Sequence, residues 1–375
     1  MPRSVRRLKN SFGKFVRGKG FAAIFLLVAI AAVFYVSDRI GRLSRALFAV
    51  NAAPVVCIVM FVFMAYMMLY IKSDKVKNTR ALYECCSVAL CFFLHTMLTL
   101  LVFDAVMWAL RMRRDVLYLI PIATALVITA YGFLHARHIY VKRYDVPLRG
   151  VPAPMRIALL SDVHAGTFVG VKQLGRIVDA VNAAHADAVI FAGDMFDVDA
   201  FDHCDTHAVA EVLRRLEPKG SVYAALGNHD PKSSETKIRR FFSEANIDLL
   251  IDDVRNAQGL SIIGRDDSMN APGRRPLADL LTKAGGDAPR IVIDHNPTGI
   301  AECVSNGVEL VLCGHTHKGQ FFPANIFTYL AYGKQGFYGH SRGGDTQSVV
   351  SSGIGYFQMP MRTCSNSELV VLDIH

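Results

Sequence analysis

The sequence predicts a two-part chain, an all-α membrane region followed by a layered α/β domain. Three observations carry that prediction. Four apolar runs crowd into the first 141 residues, short apolar runs alternate with amphipathic helical patterns after residue 155, and the two parts carry opposite net charge. Of the 375 residues, 52% are hydrophobic and only 19% charged, against roughly 25% charged in an ordinary soluble domain. Residues 1–149 hold 21 Lys and Arg against 6 Asp and Glu, a net of +15, whereas residues 150–375 hold 20 against 26, a net of −6. The overall +9 therefore belongs wholly to the apolar part, where basic residues face lipid headgroups rather than nucleic acid. The composition excludes a disordered chain, a collagen-like fibre and a wholly soluble enzyme.

A basic arm comes first, residues 1–20, with Arg3, Arg6, Arg7, Lys9, Lys14, Arg17 and Lys19. The apolar runs are Phe21–Val36, Ala46–Ile71, Ala81–Leu110 and Val116–Val141. A bilayer core takes about 20 apolar residues per helix, so the last three runs qualify comfortably and the first is at the short limit. A secretory signal is the rival reading of that first run, but the other three would still need a membrane. About four helices over residues 21–145 are expected. With four spans, the arm, the loop Lys72–Arg80 and the flank Arg137–Arg149 share one side and hold 15 Lys and Arg, against six on the other. That bias places the termini, and so the second part, in the cytoplasm of a bacterium, as an integral inner-membrane protein. If the first run does not cross, three spans remain and the sides are harder to assign. Asp104 with His95, and His135 with His138, would suit a proton or ion path. No paired or repeated polar pattern supports transport, so bonding between neighbouring helices is the better reading. The eight cysteines form no close-spaced framework and read as free thiols.

Residues 146–154, rich in Pro and Gly, mark a linker, and residues 155–375 form the second domain. Arg156–Leu160 reads as a strand, Val171–Ala184 as an amphipathic helix, Ala188–Ala192 as a strand and Ala208–Leu216 as a helix. Strands are expected again at Ser221–Leu226, Leu260–Gly264, Arg290–Ile293 and Val308–Cys313. Ligands of such domains gather past the carboxyl ends of strands. Here that is where Asp162, His164, Asp194, Asn228, His229, Asp230, His295, His315 and His317 fall. Nitrogen and oxygen donors without thiolates suit Mn, Fe or Zn, with Mg also open, better than a calcium cage or a structural zinc. The set is too large for one tetrahedral ion and about right for two ions about 3.5–4 Å apart sharing a carboxylate, a pair that polarises a phosphoryl oxygen and activates water.

The ordered motifs Asp-x-His, Gly-Asp, Gly-Asn-His-Asp, His and Gly-His-x-His resemble those of the calcineurin-like metallophosphoesterase superfamily, over essentially all of residues 155–375. The sequence is most similar to its membrane-associated bacterial YkuE/YaeI-type branch. Gly-His-Thr-His-Lys-Gly-Gln (314–320), Gly264-Arg-Asp-Asp267 and Ser351-Ser-Gly-Ile-Gly-Tyr…Pro-Met-Arg362 carry that closer likeness. The resemblance implies a four-layer αββα sandwich. It implies two divalent metal ions, the first on Asp162, His164 and His317, the second on Asn228, His295 and His315, with Asp194 bridging. His229 would then contact the phosphate and protonate the leaving oxygen, with Asp230 orienting its ring, a pairing that ordinary acid–base chemistry also allows. The implied activity is hydrolysis of a phosphoester, phosphodiester or pyrophosphate. Membrane tethering suggests a lipid-linked substrate such as UDP-diacylglucosamine, which members of the superfamily hydrolyse; no nucleic-acid partner is expected.

Lys318 stands where the branch often has Gly and Asp294 where it usually has an apolar or hydroxyl residue. Lys318 either adds a phosphate contact or points to solvent. Asp294 either tunes His295 or, by strand alternation, points away. His185, His203, His207, His340 and His375 close no motif. Asp197, Asp199, Asp202, His203, Asp205 and His207 form either an exposed loop or an additional metal site. The aromatic stretch Phe321, Phe322, Phe327, Tyr329, Tyr332, Phe337 and Tyr338 reads as packing or as an apolar lip for a lipid-bearing substrate. The rival function is a membrane sensor or transporter whose second domain is regulatory; the intact ligand set and the sparse polar content of the spans argue against it.

Overall fold

A computed structural model of the chain describes residues 19–72, 80–197, 201, 204–231, 235–271 and 273–375. The basic arm up to residue 18, residues 73–79 of the basic loop, and Asp199, Asp202 and His203 of the acidic cluster lie outside the described residues. The chain divides into two units, Met1–Phe133 and Leu134–His375.

The first unit is helical. Its helices are α1 (Lys19–Phe48), α2 (Ala53–Lys72), α3 (Arg80–Ala109) and α4, which runs Leu119–His135 after a short 3-10 turn at Asp115–Tyr118. Three stretches among the described residues are long and apolar enough to cross a membrane: Ala53–Tyr70, Ala81–Ala109 and Asp115–His135. The helix holding the first apolar run is not one of them. The helix continues past that run into Asp38, Arg39, Arg42 and Arg45, so its second half is charged. Asp104 accepts hydrogen bonds from Tyr35 Oη (2.7 Å), Arg39 Nε (2.9 Å) and Tyr118 Oη (2.9 Å). His95 Nδ1 lies 2.8 Å from the Cys91 carbonyl one turn back in its own helix. Asp104, bonded by three donors from other elements, agrees with the interhelical reading, whereas His95 bonds within its own helix.

The second unit contains two six-stranded sheets. One has the order β1-β12-β2-β3-β4-β5 and the other β10-β11-β9-β8-β7-β6. The strands are β1 (Ile139–Val146), β2 (Met155–Leu160), β3 (Ala188–Ala192), β4 (Val222–Ala225), β5 (Asp248–Leu249), β6 (Asp253–Ala257), β7 (Leu260–Gly264), β8 (Arg290–Ile293), β9 (Leu310–Cys313), β10 (Gly339–Gly343), β11 (Thr346–Val350) and β12 (Ser367–Ile374). Alternation along the strands sorts side chains into three cores. Ile157, Leu159, Ile190 and Leu372 of the first sheet meet Ile262, Ile291, Ile293, Leu310 and Leu312 of the second. On the outer face of the first sheet, Ala158, Leu160, Val189 and Phe191 pack with Leu174, Ile177 and Val178 of α5 (Val171–Asn182), Val209 and Leu213 of α6 (Thr206–Leu213) and Phe241 and Phe242 of α7 (Glu235–Glu244). On the outer face of the second, Ile263, Val292 and Val311 pack with Leu277 and Leu280 of α8 (Leu277–Ala284) and Ile300 and Cys303 of α9 (Ile300–Ser305). The result is the four-layer αββα sandwich, preceded by the helical region.

Strand β1 pairs in parallel with β12 from Ile139↔Ser367 to Val146↔Ile374. It occupies residues that the sequence reading assigns to the end of the membrane region, because Ile139–Val141 continue the last apolar run and Lys142, Arg143 and Asp145 read as its charged flank. The sandwich therefore starts before the Pro-rich stretch. Leu159 is fully buried between the sheets, so Leu159→Ala is expected to cost about 2–5 kcal/mol. A denaturant midpoint that moves no more than that of the exposed Lys172→Ala control would contradict this placement.

Candidate metal centre

Three neighbouring strands of one sheet and two of the other deliver the site. Asp162 and His164 follow β2, Asp194 follows β3, and Asn228, His229 and Asp230 follow β4; His295 follows β8, and His315 and His317 follow β9. The chain turns sharply as it leaves these strands. Asp162, His164, Asp194, His315 and His317 all have left-handed backbone, with φ of 52°, 48°, 53°, 71° and 48°. Such residues cost of order 1–3 kcal/mol each and persist only where surroundings fix them. Here the fixing bonds come from the site itself: the His229 N–H donates to Asp194 Oδ1 at 2.8 Å and the His315 N–H to the Asp162 carboxylate at 3.1 Å. A Cβ on Gly227 would overlap the Asp194 carboxylate, and one on Gly314 the Asp162 carboxylate, so the motif glycines are required by close approach.

Two groups of donor atoms converge: Asp162, His164 and His317, and Asp162, Asp194 and His295. His317 Nε2 is 3.1 Å from His164 Nε2 and 3.2 Å from Asp162 Oδ1. Asp194 Oδ2 lies 3.1 Å from His295 Nε2 and 3.8 Å from His164 Nε2. Asp162 is the residue common to both groups, while Asp194 also faces a histidine of each. The sequence reading gave the shared position to Asp194 alone; the adjacency of β2 and β3 puts both carboxylates between the imidazoles.

Asp162, Asp194 and His295 are buried, and burial alone would push both carboxyls toward their neutral form. The imidazoles of His317, His295 and His164 overcome it at Asp162, and those of His295 and His164 at Asp194, holding both below the usual carboxylate range. Burial depresses His295 as well, yet the Asp194 carboxylate raises it to about 10. His164 and His315, dominated by burial, fall to about 3. The residues fit a cation. His164 Nε2 and His295 Nε2 both face the carboxylates, His295 Nε2 lying buried 3.1 Å from Asp194 Oδ2. His295 Nδ1 is held 2.7 Å from the Ala192 carbonyl, which turns Nε2 into the site in the manner of a metal-binding histidine. Two buried carboxylates beside lone-pair nitrogens fit a dinuclear metal site.

Three side chains sit differently from the sequence reading. His315 is outside both donor groups, with Nδ1 2.7 Å from Asn228 Oδ1 and Nε2 2.7 Å from Tyr332 Oη. Asp230 does not orient the His229 ring: its carboxylate accepts the N–H groups of Gly227 (2.8 Å) and Phe196 (3.1 Å) and so ties two site loops together. Burial, with Asp194 nearby, raises its carboxyl to about 7. Lys318 neither reaches the donor groups nor extends freely; its Nζ sits 4.2 Å from the centre of the Tyr338 ring. Asp294 takes the outward alternative, held through two bonds by Arg274 at 3.0 and 2.9 Å. Of the acidic cluster's described members, Asp197 Oδ1 stands 3.8 Å from His164 Nδ1, whereas Asp205 caps α6 through the Ala208 N–H.

Three contributors escaped the motif pattern. Phe357 packs its ring 4.7 Å from His229 and 5.5 Å from His164. Arg362, fully buried, donates to the carbonyls of Gly353 and Gly355 and reaches 3.4 Å from His317 Nδ1; burial lowers its guanidinium to about 10. Tyr332 arrives from a helix after the last motif. An aromatic or Arg outside a ligand pattern is indistinguishable in sequence from a packing residue; only the likeness of the 351–362 segment pointed near two of them.

The fold and donor set define a metallophosphoesterase domain. Residues 155–319 match the calcineurin-like phosphoesterase family, and the chain carries a domain of that family. It is 32% identical over 260 residues to F40B5.2 of Caenorhabditis elegans, named as a metallophosphoesterase, covering 62% of this chain and 53% of that one. It is 30% identical over 277 residues to the "transmembrane protein with metallophosphoesterase domain" of Danio rerio, covering 68% and 62%. Metallophosphoesterase YkuE of Bacillus subtilis is 25% identical over 229 residues, covering 58% and 78%. The chain thus spans less than two-thirds of the length of the first two relatives.

Two outcomes are expected. With His295 raised to about 10 by Asp194, the metal-free protein carries a proton there at pH 8, and an entering divalent cation must expel it. Calorimetric titration in buffers of different ionisation enthalpy should show proton release and affinity rising with pH; heats independent of the buffer would refute it. Arg274→Met leaves Asp294 buried without its partner and should destabilise the protein by about 3–5 kcal/mol, measured by denaturant unfolding.

Proposed function

We propose that the chain is a membrane-anchored, two-metal phosphohydrolase that cleaves a phosphoester, phosphodiester or pyrophosphate bond in a lipid-linked substrate. The observation that carries this reading is the convergence of two buried carboxylates with His164, His295 and His317. In this proposal Asp162, His164 and His317 would hold the first cation and Asn228, His295 and His315 the second, with Asp194 shared between them. Asn228 Oδ1 and His315 Nδ1, 2.7 Å apart, are the atoms these two residues would offer. The cations, of Mn, Fe or Zn type with Mg also chemically suitable, neutralise phosphate charge and lower the pKa of water.

The chain's own groups do the rest. Asp162 and Asp194, fixed by backbone N–H groups, set where a phosphoryl group can sit. His229 serves as general acid toward the leaving oxygen: its ring makes no hydrogen bond among the described residues, rests on Phe357 and lies 5.4 Å from the His164 ring. Burial with neighbouring imidazoles lowers its pKa, against the pull of Asp194, and an entering phosphate dianion would favour its protonated form. Asp230 acts through the loops it joins. Arg362 backs His317. The −6 charge of residues 150–375 disfavours a nucleic-acid substrate. The three apolar helices support the anchor; the cytoplasmic side for the adjoining domain requires the first apolar run to cross as well, which sets 15 Lys and Arg on that side against six. A substrate of the UDP-diacylglucosamine kind combines the phosphoanhydride the site can cleave with the lipid an anchored enzyme can reach.

Chelation of the full chain in detergent should abolish hydrolysis of a chromogenic diester and back-titration with Mn should restore it. Asp194→Ala should lower activity to background. His229→Ala should lower kcat by about 10²–10⁴-fold with metal content unchanged. Full activity in metal-stripped protein would overturn the proposal, and a screen of soluble against lipid-linked phosphates tests the substrate class.

A further inference from the structure

The helix that supplies Tyr332 has a second face. This helix, α10, runs Ala324–Phe337, and its backbone breaks at Gly333, where φ is 69°. Among the described residues of 134–375, nine large hydrophobic side chains are exposed, and five of them fall between 322 and 330: Phe322, Ile326, Phe327, Tyr329 and Leu330. Ile326 and Leu330 lie one helical turn apart on α10, with Phe327 and Tyr329 flanking them and Phe322 just before the helix. In a unit with an excess of acidic residues, positions 319–338 contain no Asp or Glu, and Lys334 follows the break at Gly333. The opposite side is committed to the site, since Tyr332 Oη bonds His315 Nε2 at 2.7 Å and the Thr316 hydroxyl donates to the Phe337 carbonyl at 2.8 Å.

Exposed clusters of this kind on soluble surfaces mark interaction sites, and the chain itself supplies the partner. The sandwich unit begins at Leu134, inside the apolar helical stretch Asp115–His135. No free linker separates a helix suited to the bilayer from the unit that carries α10, so the unit meets a lipid surface at high effective concentration. Aromatic and aliphatic side chains with a terminal Lys and no acids are what the headgroup–acyl boundary accepts, especially with anionic lipid.

We propose that the outer face of α10 docks on the surface of the same bilayer that holds the chain's apolar helices, placing the rim of the metal centre at the headgroups. This rests on the membrane anchoring proposed above but not on the hydrolytic reading. The test uses the full chain. Its single Trp, Trp108, lies in α3, so Phe327→Trp in a Trp108→Phe background gives one reporter. After reconstitution in phosphatidylcholine–phosphatidylglycerol vesicles, its emission should shift to the blue. Phosphatidylcholine brominated near the headgroup should quench it, more strongly as the anionic fraction rises. Water-like emission unaffected by bromolipid would overturn the proposal. Blue-shifted emission without bromolipid quenching would also overturn it, because the face would then be covered by protein, such as a second copy of the chain. Leu330→Trp in the same background repeats the measurement should the first variant fold poorly. Neither readout requires turnover, so loss of hydrolysis and loss of docking are separately visible.

Discussion

Two carboxylates buried side by side, Asp162 and Asp194, are the constraint on which the second unit is organised. Two anions removed from water in one place are untenable without compensation, and the surroundings supply it from every direction. Backbone N–H groups of His229 and His315 donate to them, three imidazoles lean on them, and the loops that carry them accept left-handed backbone to do so. Gly227 and Gly314 leave the space the carboxylates occupy. At His295 the compensation includes a proton, since Asp194 stabilises its imidazolium. A divalent cation held there would have to replace that proton.

The sandwich makes that arrangement rigid. Adjacent strands β2, β3 and β4 space the first three ligand loops at regular intervals, and β8 and β9 bring in the histidine loops from the second sheet. The apolar layer between the sheets ends where the ligands begin, with Leu159 and Ile293 each within three residues of a ligand. Packing at interior density resists relaxation, which keeps strained ligand loops from springing open. Buried polar groups outside the centre serve the same end: Asp230 joins the loops after β3 and β4, and Arg274 with Asp294 secures the segment leading to His295.

The ligand loops and the apolar face of α10 share an address. His315 connects them, through its backbone N–H to the Asp162 carboxylate on one side and through Tyr332 into α10 on the other. A contact on the outer surface of that helix is therefore two side chains from the proposed second cation. For a substrate with a phosphate at one end and acyl chains at the other, such proximity matters more than the net charge of either half, since bound cations neutralise the local carboxylates.

How much of this was legible in the sequence varies with the range of the interaction. The ligand residues, the strand ends that hold them and the αββα class rest on local signals, namely short motifs, period-two apolar runs and polar breaks, together with a family resemblance. The apolar helices were equally plain, because lipid solvates by composition. The strands β1, β5, β6, β10, β11 and β12 were not anticipated: β1 straddles the end of an apolar run and its basic flank, and β12 finds β1 and β2 only across the fold. Whether Asp230 meets His229 or two backbone amides, whether Asp294 faces the site or Arg274, and which carboxylate is shared between donor groups all depend on directions set by contacts between residues distant in sequence. Residue type and spacing determined which chemistry the chain carries. Only tertiary structure decided which atoms of those residues face one another, because a side chain's direction follows from the packing of the whole sandwich rather than from its neighbours along the chain.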